Sequence, residues 1–183
     1  MRIRLMVAFA AAAVAASCSG SSQPPTAPDA VSVPLQFTAE DHAGAAVPHN
    51  HRTHLTGGEE VPPRDTRAQG QAIFQISPDE TSVSYRLIAA NIQNVTQAHI
   101  HLGPPGANGP IVVWLYPPAP PLQLIPGRFQ GVLEEGVFTE AVFMGPLEGE
   151  PFSVFLGHLR AGNTYVNVHT SQFPPGEIRG QID

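Results

Sequence analysis

The chain has 183 residues, of which 42% are hydrophobic, 7% aromatic and 13% charged, with 17 Gly and 20 Pro. This composition is typical of one loop-rich globular domain that is mostly β. All nine basic residues are Arg, and the formal net charge of −6 leaves no basic stripe for a phosphate backbone, so nucleic acid is excluded as an expected partner.

Residues 1–18 have the layout of a secretory signal peptide. Arg2 and Arg4 precede an apolar stretch that ends shortly before Cys18, the only cysteine of the chain. This stretch is too short for a membrane-spanning helix, and its layout predicts export. The sequence "AASC" resembles the bacterial lipoprotein box, which implies a lipid on Cys18, whereas ordinary cleavage at a nearby small residue is the alternative. We expect a periplasmic or cell-surface protein that is anchored to the membrane through Cys18.

Two segments separate this signal from the folded domain. Residues 19–36 are rich in Ser, Pro and Ala and predict an extended tether. Residues 37–54 form a His-rich arm, which either binds metal ions adventitiously or is a polar extension of the tether; we favour the extension. The arm contains His42, His49, His51 and His54. Of these, His54 is next to the first predicted strand and is the one we expect to approach the domain.

Residues 55–183 alternate in short blocks that turn residues separate, which predicts an all-β domain. "AQGQAIFQIS" and "SVSYRLI" are expected to form a hairpin. Further strands are predicted in "QAHIHL", "IVVWLY", "RFQGVL", "VFTEAVF", "TYVNVHT" and "GEIRGQI". One short helix is predicted in "EPFSVFLGHLRAGN", where apolar residues recur at helical spacing between Pro151 and Gly162. The expected fold is a Greek-key β-sandwich or barrel with one short helix.

Three histidines on predicted strands suggest a metal site. His99 and His101 share one face of their strand, opposite an aliphatic face, and stand about 7 Å apart at their Cβ atoms. Downstream, His169 and Asn167 share the polar face of "TYVNVHT". If the two strands are neighbours, three imidazoles converge on an outward, solvent-facing patch that favours Cu(II), with Zn(II) behind it. The alternative is that the histidines are ordinary polar residues on the outer face of a sheet.

Other chemistry finds little support in the sequence. Pairs of neighbouring carboxylates read as a solvated surface, and Glu60 is expected to cap or to pair with an Arg. Glu177 and Arg179 fall on one face, where they form either a cross-strand ion pair or a binding feature; we favour the structural ion pair. No nucleophile elbow or phosphate-binding loop is present, so we assign no catalytic residue. The Gly/Pro loop "GPPGANGP" follows the His pair directly, and we expect it to form a rim over the site.

Several stretches together resemble the CHRD domain, a module of chordin and of many bacterial exported proteins. They are "LTGGEEVPP", "GQAIFQIS", "VTQAHIHLGPPGANGPIVVWLY", "AGNTYVNVHT" and "PPGEIRGQI", and they cover about residues 55–183. The resemblance implies an extracellular all-β domain without an established activity, with an immunoglobulin-like or superoxide-dismutase-like architecture as the two alternatives.

The chain is also similar to Cu,Zn superoxide dismutase in one respect. The order and coarse spacing of His99, His101 and His169 resemble the copper ligands of that family, and Arg179 is similar to its substrate-guiding arginine. Only His158 lies between the second and third of these histidines, so no counterpart of the zinc cluster is present. The similarity therefore implies a three-His metal site and not the dismutase activity.

Three hypotheses remain open from the sequence. The first is a non-enzymatic binding or structural module with an unidentified protein or cell-surface partner. The second is a protein that binds copper, or zinc, through His99, His101 and His169. The third is a redox enzyme of the dismutase type, against which the missing second metal cluster counts.

Overall fold

The structure is a computed structural model that describes residues 50–183. The predicted signal peptide, the lipidation site at Cys18, the tether over residues 19–36 and most of the His-rich arm lie outside the described residues. The first strand begins at Asn50, before residue 55, where the sequence predicted the start of the domain. The last residues of the predicted arm therefore belong to the barrel, because they pair with the second strand.

The described residues form seven strands and one α-helix. The strands are β1 (Asn50–Thr56), β2 (Gln69–Ile76), β3 (Val83–Leu102), β4 (Ile111–Tyr116), β5 (Ile125–Phe138), β6 (Thr164–Thr170) and β7 (Ile178–Gln181), and the helix is α1 (Phe152–Arg160). Single 3-10 turns cover Gly57–Glu59, Glu140–Val142 and Gly145–Leu147. Within residues 50–183, no helix has the length and apolar character needed to cross a bilayer.

Five strands close into a barrel. Neighbours pair in the order β2, β1, β7, β6, β3, and pairing of β3 with β2 completes the ring. Strands β4 and β5 both pair with the other side of β3. The prediction of an all-β barrel or sandwich with one short helix is confirmed.

Strand β3 differs from the prediction because "SVSYRLI" and "QAHIHL" lie on one strand of 20 residues. Its first half pairs with β2 and its second half with β6. Asn91 and Asn94 adopt positive φ angles of 55° and 53°, and the pairing register shifts around both. The strand therefore bulges and bends where the sequence suggested a break, and it serves both halves of the barrel.

The helix begins and ends where the sequence predicts. Pro151 precedes its first turn as N-cap, and Gly162, with a φ of 67°, follows its end. The apolar face buries Phe152 and Phe155, whose rings contact Phe138 at the end of β5. The helix thus covers the apolar core that β5 and β3 share.

Candidate metal centre

The structure brings the three predicted histidines together. Strands β3 and β6 pair antiparallel, with His99 opposite Asn167 and Gln97 opposite His169. One ligand nitrogen from each of His99, His101 and His169 lies within 4.8 Å of the other two, in a group that could hold a metal ion. The condition on which the sequence prediction depended, that the two strands are neighbours, is fulfilled.

The predicted exposure of this group is wrong. His99, His101 and His169 are 0%, 7% and 5% exposed, respectively. They do lie on the face opposite the aliphatic core, but every residue of β6 is buried on both faces of the strand. The outer face is buried because loops fold over it, so the site is a polar pocket under loops rather than a surface patch.

The Gly/Pro loop of residues 103–110 forms part of this cover. The carbonyl oxygen of Gly109 lies 2.9 Å from Nδ1 of His101, and the Tyr165 hydroxyl accepts a hydrogen bond from the Gly109 amide at 3.0 Å. Asn108 donates to the carbonyl of Val61, which joins this loop to the one after β1. The predicted rim over the site is therefore a closed lid made by two loops that bond to each other.

Backbone carbonyls fix the tautomers of two histidines. Nδ1 of His101 faces Gly109 and Nδ1 of His169 lies 2.7 Å from the carbonyl oxygen of Pro174. Because a carbonyl oxygen only accepts, each Nδ1 carries the proton and each Nε2 is unprotonated; that of His169 faces Nδ1 of His99. Such bonds orient ligand histidines in metal sites. Nε2 of His101 is buried and has no hydrogen-bond partner among the described residues.

The spacing of the nitrogens suits one small ion. Nδ1 of His99 lies 3.1 Å from Nε2 of His169. Two nitrogens that bind one ion at about 2.0–2.1 Å, with 90–120° between the bonds, stand roughly 2.8–3.6 Å apart. All three ligand atoms lie within 4.8 Å of one another, so a movement of no more than about 1 Å brings every pair into this range.

Burial keeps the site neutral. It lowers the pKa of His99 to about 2, with His169 and His101 adding to the effect. Burial also lowers the pKa of His101 to about 4, against the hydrogen bond to Gly109, and lowers that of His169. Neutral imidazole is the form that binds metal ions, so the lone pairs are available well below neutral pH.

Aromatic rings line the site. The ring of Trp114 meets His99 edge-on at 4.4 Å between centroids, and the ring of Tyr165 stacks on His101 at 4.8 Å. On the far side of Tyr165, the guanidinium carbon of Arg179 lies 3.4 Å from the ring centre. Alternation along β6 placed Tyr165 on the histidine face, whereas nothing in the sequence indicated that Trp114 lines the site.

The three predicted accessory residues have different outcomes. Arg179 is 2% exposed and donates to Asn108 and Pro104 of the lid, while Asn167 is 3% exposed and belongs to the same pocket. His54 is exposed on β1 opposite Gln71 and does not join the three-His group.

The predicted ion pair between Glu177 and Arg179 is wrong. The carboxylate of Glu177 accepts hydrogen bonds from Thr66 and Thr170 at 2.7 Å each. Arg179 turns instead to the lid, where it binds carbonyl and amide oxygens. Residues two apart on a strand share a face, but loop contacts decide which way each side chain turns.

Glu60 is a buried member of the pocket that the sequence did not reveal. It is 4% exposed, and its burial raises its pKa to about 7, although Arg179, Arg64 and Asn167 act in the opposite direction. Its Oε1 atom has no hydrogen-bond partner among residues 50–183. The motif "GGEEVPP" suggested a surface carboxylate, because its burial depends on contacts with residues more than a hundred positions away.

Comparison with known families gave one result. The CHRD domain family matches residues 51–182, more than two thirds of the chain. No curated protein and no solved structure matched the chain. The similarity to superoxide dismutase thus depends on the order of the histidines alone and stays a prediction. On the family match, this chain belongs to the CHRD domain family.

Proposed function

We propose that this CHRD domain is a non-enzymatic metal-binding module that holds one transition-metal ion with His99, His101 and His169. The observation that carries the proposal is the set of convergent imidazole nitrogens, two of them held as unprotonated Nε2 atoms by carbonyl bonds at Nδ1. Nε2 of His99 and of His101 are buried without a hydrogen-bond partner among residues 50–183. Orphaned polar atoms in a buried site are costly, and a bound ion would satisfy them.

The ligand set favours copper, with zinc as the alternative. Three imidazoles suit copper and zinc better than magnesium or calcium, which prefer oxygen ligands. The burial of all three histidines favours retention of the ion over turnover of a substrate. Dismutase-type activity is therefore the weaker candidate, and it would require superoxide consumption well above that of free copper.

A cell-surface location would suit such a module. The proposal places the barrel outside the cytoplasm, held at the membrane by a lipid on Cys18 through the tether of residues 19–36. It is supported by the sequence layout alone. Mass spectrometry of the mature protein would show a lipid-modified Cys18 at its N-terminus; a mature chain that starts at another residue would refute the anchoring.

Binding of a protein partner is a second candidate function. Strand β5 pairs with β3 and, within the described residues, with no other strand. Val132 and Val137 are 39% and 67% exposed on it. An unpaired strand edge can accept a strand from another chain. A partner there would slow amide hydrogen exchange along the outer edge of β5, and unchanged exchange with a bound partner would exclude this edge.

The metal proposal can be tested by metal content and titration of the protein without a His tag. The variants His101→Asn and His169→Asn keep a donor near the Nδ1 position, which preserves the bond to the carbonyl, but remove the Nε2 ligand. We expect one tightly bound ion in the wild type and at least a tenfold weaker affinity in each variant. His54→Ala is the matched control and should bind as the wild type does. Absence of stoichiometric metal in the folded wild type would refute the function.

A further inference from the structure

We propose that the three-His site selects copper in its monovalent state, Cu(I), over Cu(II) and Zn(II). This inference rests on the metal-binding function proposed above and concerns the charge of the ion. Three features of the surroundings of His99, His101 and His169 favour Cu(I): the charge of the ligands, the neighbouring guanidinium and the number of ligands.

The first argument is that every ligand is neutral. The group that could hold the ion contains three histidines and no Asp, Glu or Cys. The desolvation cost of an ion grows as the square of its charge, so a divalent ion among neutral ligands in a buried site costs about four times as much as a monovalent one. Zinc sites often offset this cost with carboxylates behind the histidines. Here the bonds from His101 and His169 go to backbone carbonyls instead.

The second argument is the positive charge beside the site. Arg179, Tyr165 and His101 form a stack, with 3.4 Å from the guanidinium carbon to the Tyr165 ring centre and 4.8 Å between the two rings. The ion pairs within residues 50–183 involve other arginines, so no carboxylate neutralises Arg179 at contact distance. A guanidinium at this range opposes a second positive charge on the ion.

The buried carboxyl groups nearby do not reverse this balance. The carboxylate of Glu177 is held by the hydroxyls of Thr66 and Thr170 at 2.7 Å each. Glu60 interacts electrostatically with Arg179 and Arg64 and accepts a hydrogen bond from the side chain of Asn167. Its burial raises its pKa to about 7. Among residues 50–183, the three histidines hydrogen-bond to each other and to backbone carbonyls, and neither carboxyl group binds a ligand histidine directly.

The third argument is the number of ligands. Cu(I) is satisfied by three donors, whereas Zn(II) takes a fourth ligand and Cu(II) prefers a tetragonal arrangement. The rings of Trp114 and Tyr165 border the histidines, with 4.4 Å between the centroids of Trp114 and His99 and 4.8 Å between those of Tyr165 and His101. The three histidine nitrogens therefore suffice for Cu(I). A further acceptor of the pocket is the buried Oδ1 of Asn167, which has no hydrogen-bond partner among residues 50–183 and, as a neutral amide oxygen, adds no charge to the site.

The test is to measure the three affinities separately. Cu(I) is titrated without oxygen, in ascorbate, against the coloured chelator bicinchoninate; Cu(II) is titrated against nitrilotriacetate, and Zn(II) against pyridylazoresorcinol. We expect Cu(I) to bind at least 100-fold more tightly than Cu(II). Since each factor of ten corresponds to 59 mV for a one-electron couple, this ratio raises the copper reduction potential by about 120 mV over that of the free ion.

Variants at Arg179 separate charge from structure. Arg179→Gln removes the charge and should narrow the ratio of Cu(I) to Cu(II) affinity by about tenfold, as expected for one charge at roughly 10 Å. Arg179→Lys keeps the charge and should leave the ratio unchanged. Equal ratios in wild type and Arg179→Gln, both folded by circular dichroism, would overturn the charge argument.

The outcomes distinguish this inference from the function on which it rests. Tighter binding of Cu(II) or Zn(II) than of Cu(I) overturns the inference and leaves the metal-binding function intact. Failure of all three ions to bind overturns both. Selective Cu(I) binding that His101→Asn abolishes supports both.

Discussion

Lowering the pH from 7 to 5 should destabilise the metal-free barrel, and Glu60→Gln should make this effect larger. His99 and His101 have folded-state pKa values of about 2 and about 4, against 6.5 in the unfolded chain. Between pH 7 and pH 5 the unfolded chain therefore binds protons that the folded chain does not. Stability is retained above pH 6.5 and is lost as the pH falls toward the folded-state values.

The magnitude follows from the width of this window. A pH of 5 is about 1.5 units below the unfolded pKa of 6.5 for each of the two histidines. At 1.36 kcal/mol per unit, each histidine lowers the free energy of unfolding by about 2 kcal/mol. The lowered pKa of His169 acts in the same direction. Together the first two lower the free energy of unfolding by about 4 kcal/mol.

Glu60 opposes this loss. Its pKa is about 7 in the folded chain and 4.5 in the unfolded chain, so the folded state binds the extra proton in the same window. Its contribution to stability is fully present below the unfolded pKa of 4.5 and is lost as the pH rises through the folded pKa of about 7. Protonation of Glu60 therefore makes the protein about 2 kcal/mol more stable at pH 5 than at pH 7. The wild type should therefore lose about 2 kcal/mol, and Glu60→Gln about 4 kcal/mol.

The assay is guanidinium unfolding of the chelator-treated protein at pH 7 and pH 5, followed by the fluorescence of the single tryptophan. His101→Asn in the Glu60→Gln background should recover about 2 kcal/mol of the loss, because one buried neutral histidine is gone. A Glu60→Gln protein whose stability changes by less than about 1 kcal/mol between the two pH values would refute the buried, neutral state of the histidines.

Two further predictions concern Trp114, which borders the three histidines, and the packing around two glycines. Copper should quench Trp114, whose ring contacts His99, with an end point at one equivalent, and His169→Asn should abolish the quenching; undiminished quenching in that variant would place the copper elsewhere. Gly180→Ala should cost about 1–3 kcal/mol in denaturant unfolding, since a Cβ there would overlap Thr53 and the carbonyl of His54. Gly157→Ala in α1, where a Cβ meets nothing within 4 Å, should instead stabilise the protein by about 0.5–1 kcal/mol. Equal effects of Gly180→Ala and Gly157→Ala on the free energy of unfolding would contradict the packing described.

The parts of the fold that the sequence predicts are those with local signals. Alternation in β2 shows which of its residues face the core, because side chains of a strand alternate with a period of two. The helix is delimited by Pro151 and Gly162, whose backbone preferences act over one turn. The same local rule placed His99, His101 and His169 on one side of their strands.

The burial of those histidines has no local signal. It arises from contacts between distant segments, such as Asn108 to Val61 across the two loops of the lid and Arg179 to Pro104. A sequence that alternates polar and apolar residues looks the same whether its polar face meets water or a loop. The buried Glu60 escaped prediction for the same reason.

The bulges of β3 decide on which side of the barrel the site lies. In the first half of the strand the odd-numbered residues Val83, Leu87 and Ala89 are buried against the core, whereas in the second half the even-numbered Ala98 and Ile100 are. Strict alternation from Val83 would have pointed His99 and His101 into the apolar interior, where their two imidazoles could not be satisfied. The register shifts around Asn91, Asn94 and Thr96 change the parity of the strand. The strand can therefore build the apolar core with one half and present His99 and His101 outside the barrel with the other. The lid loops then bury the two histidines that the bulges have turned outward.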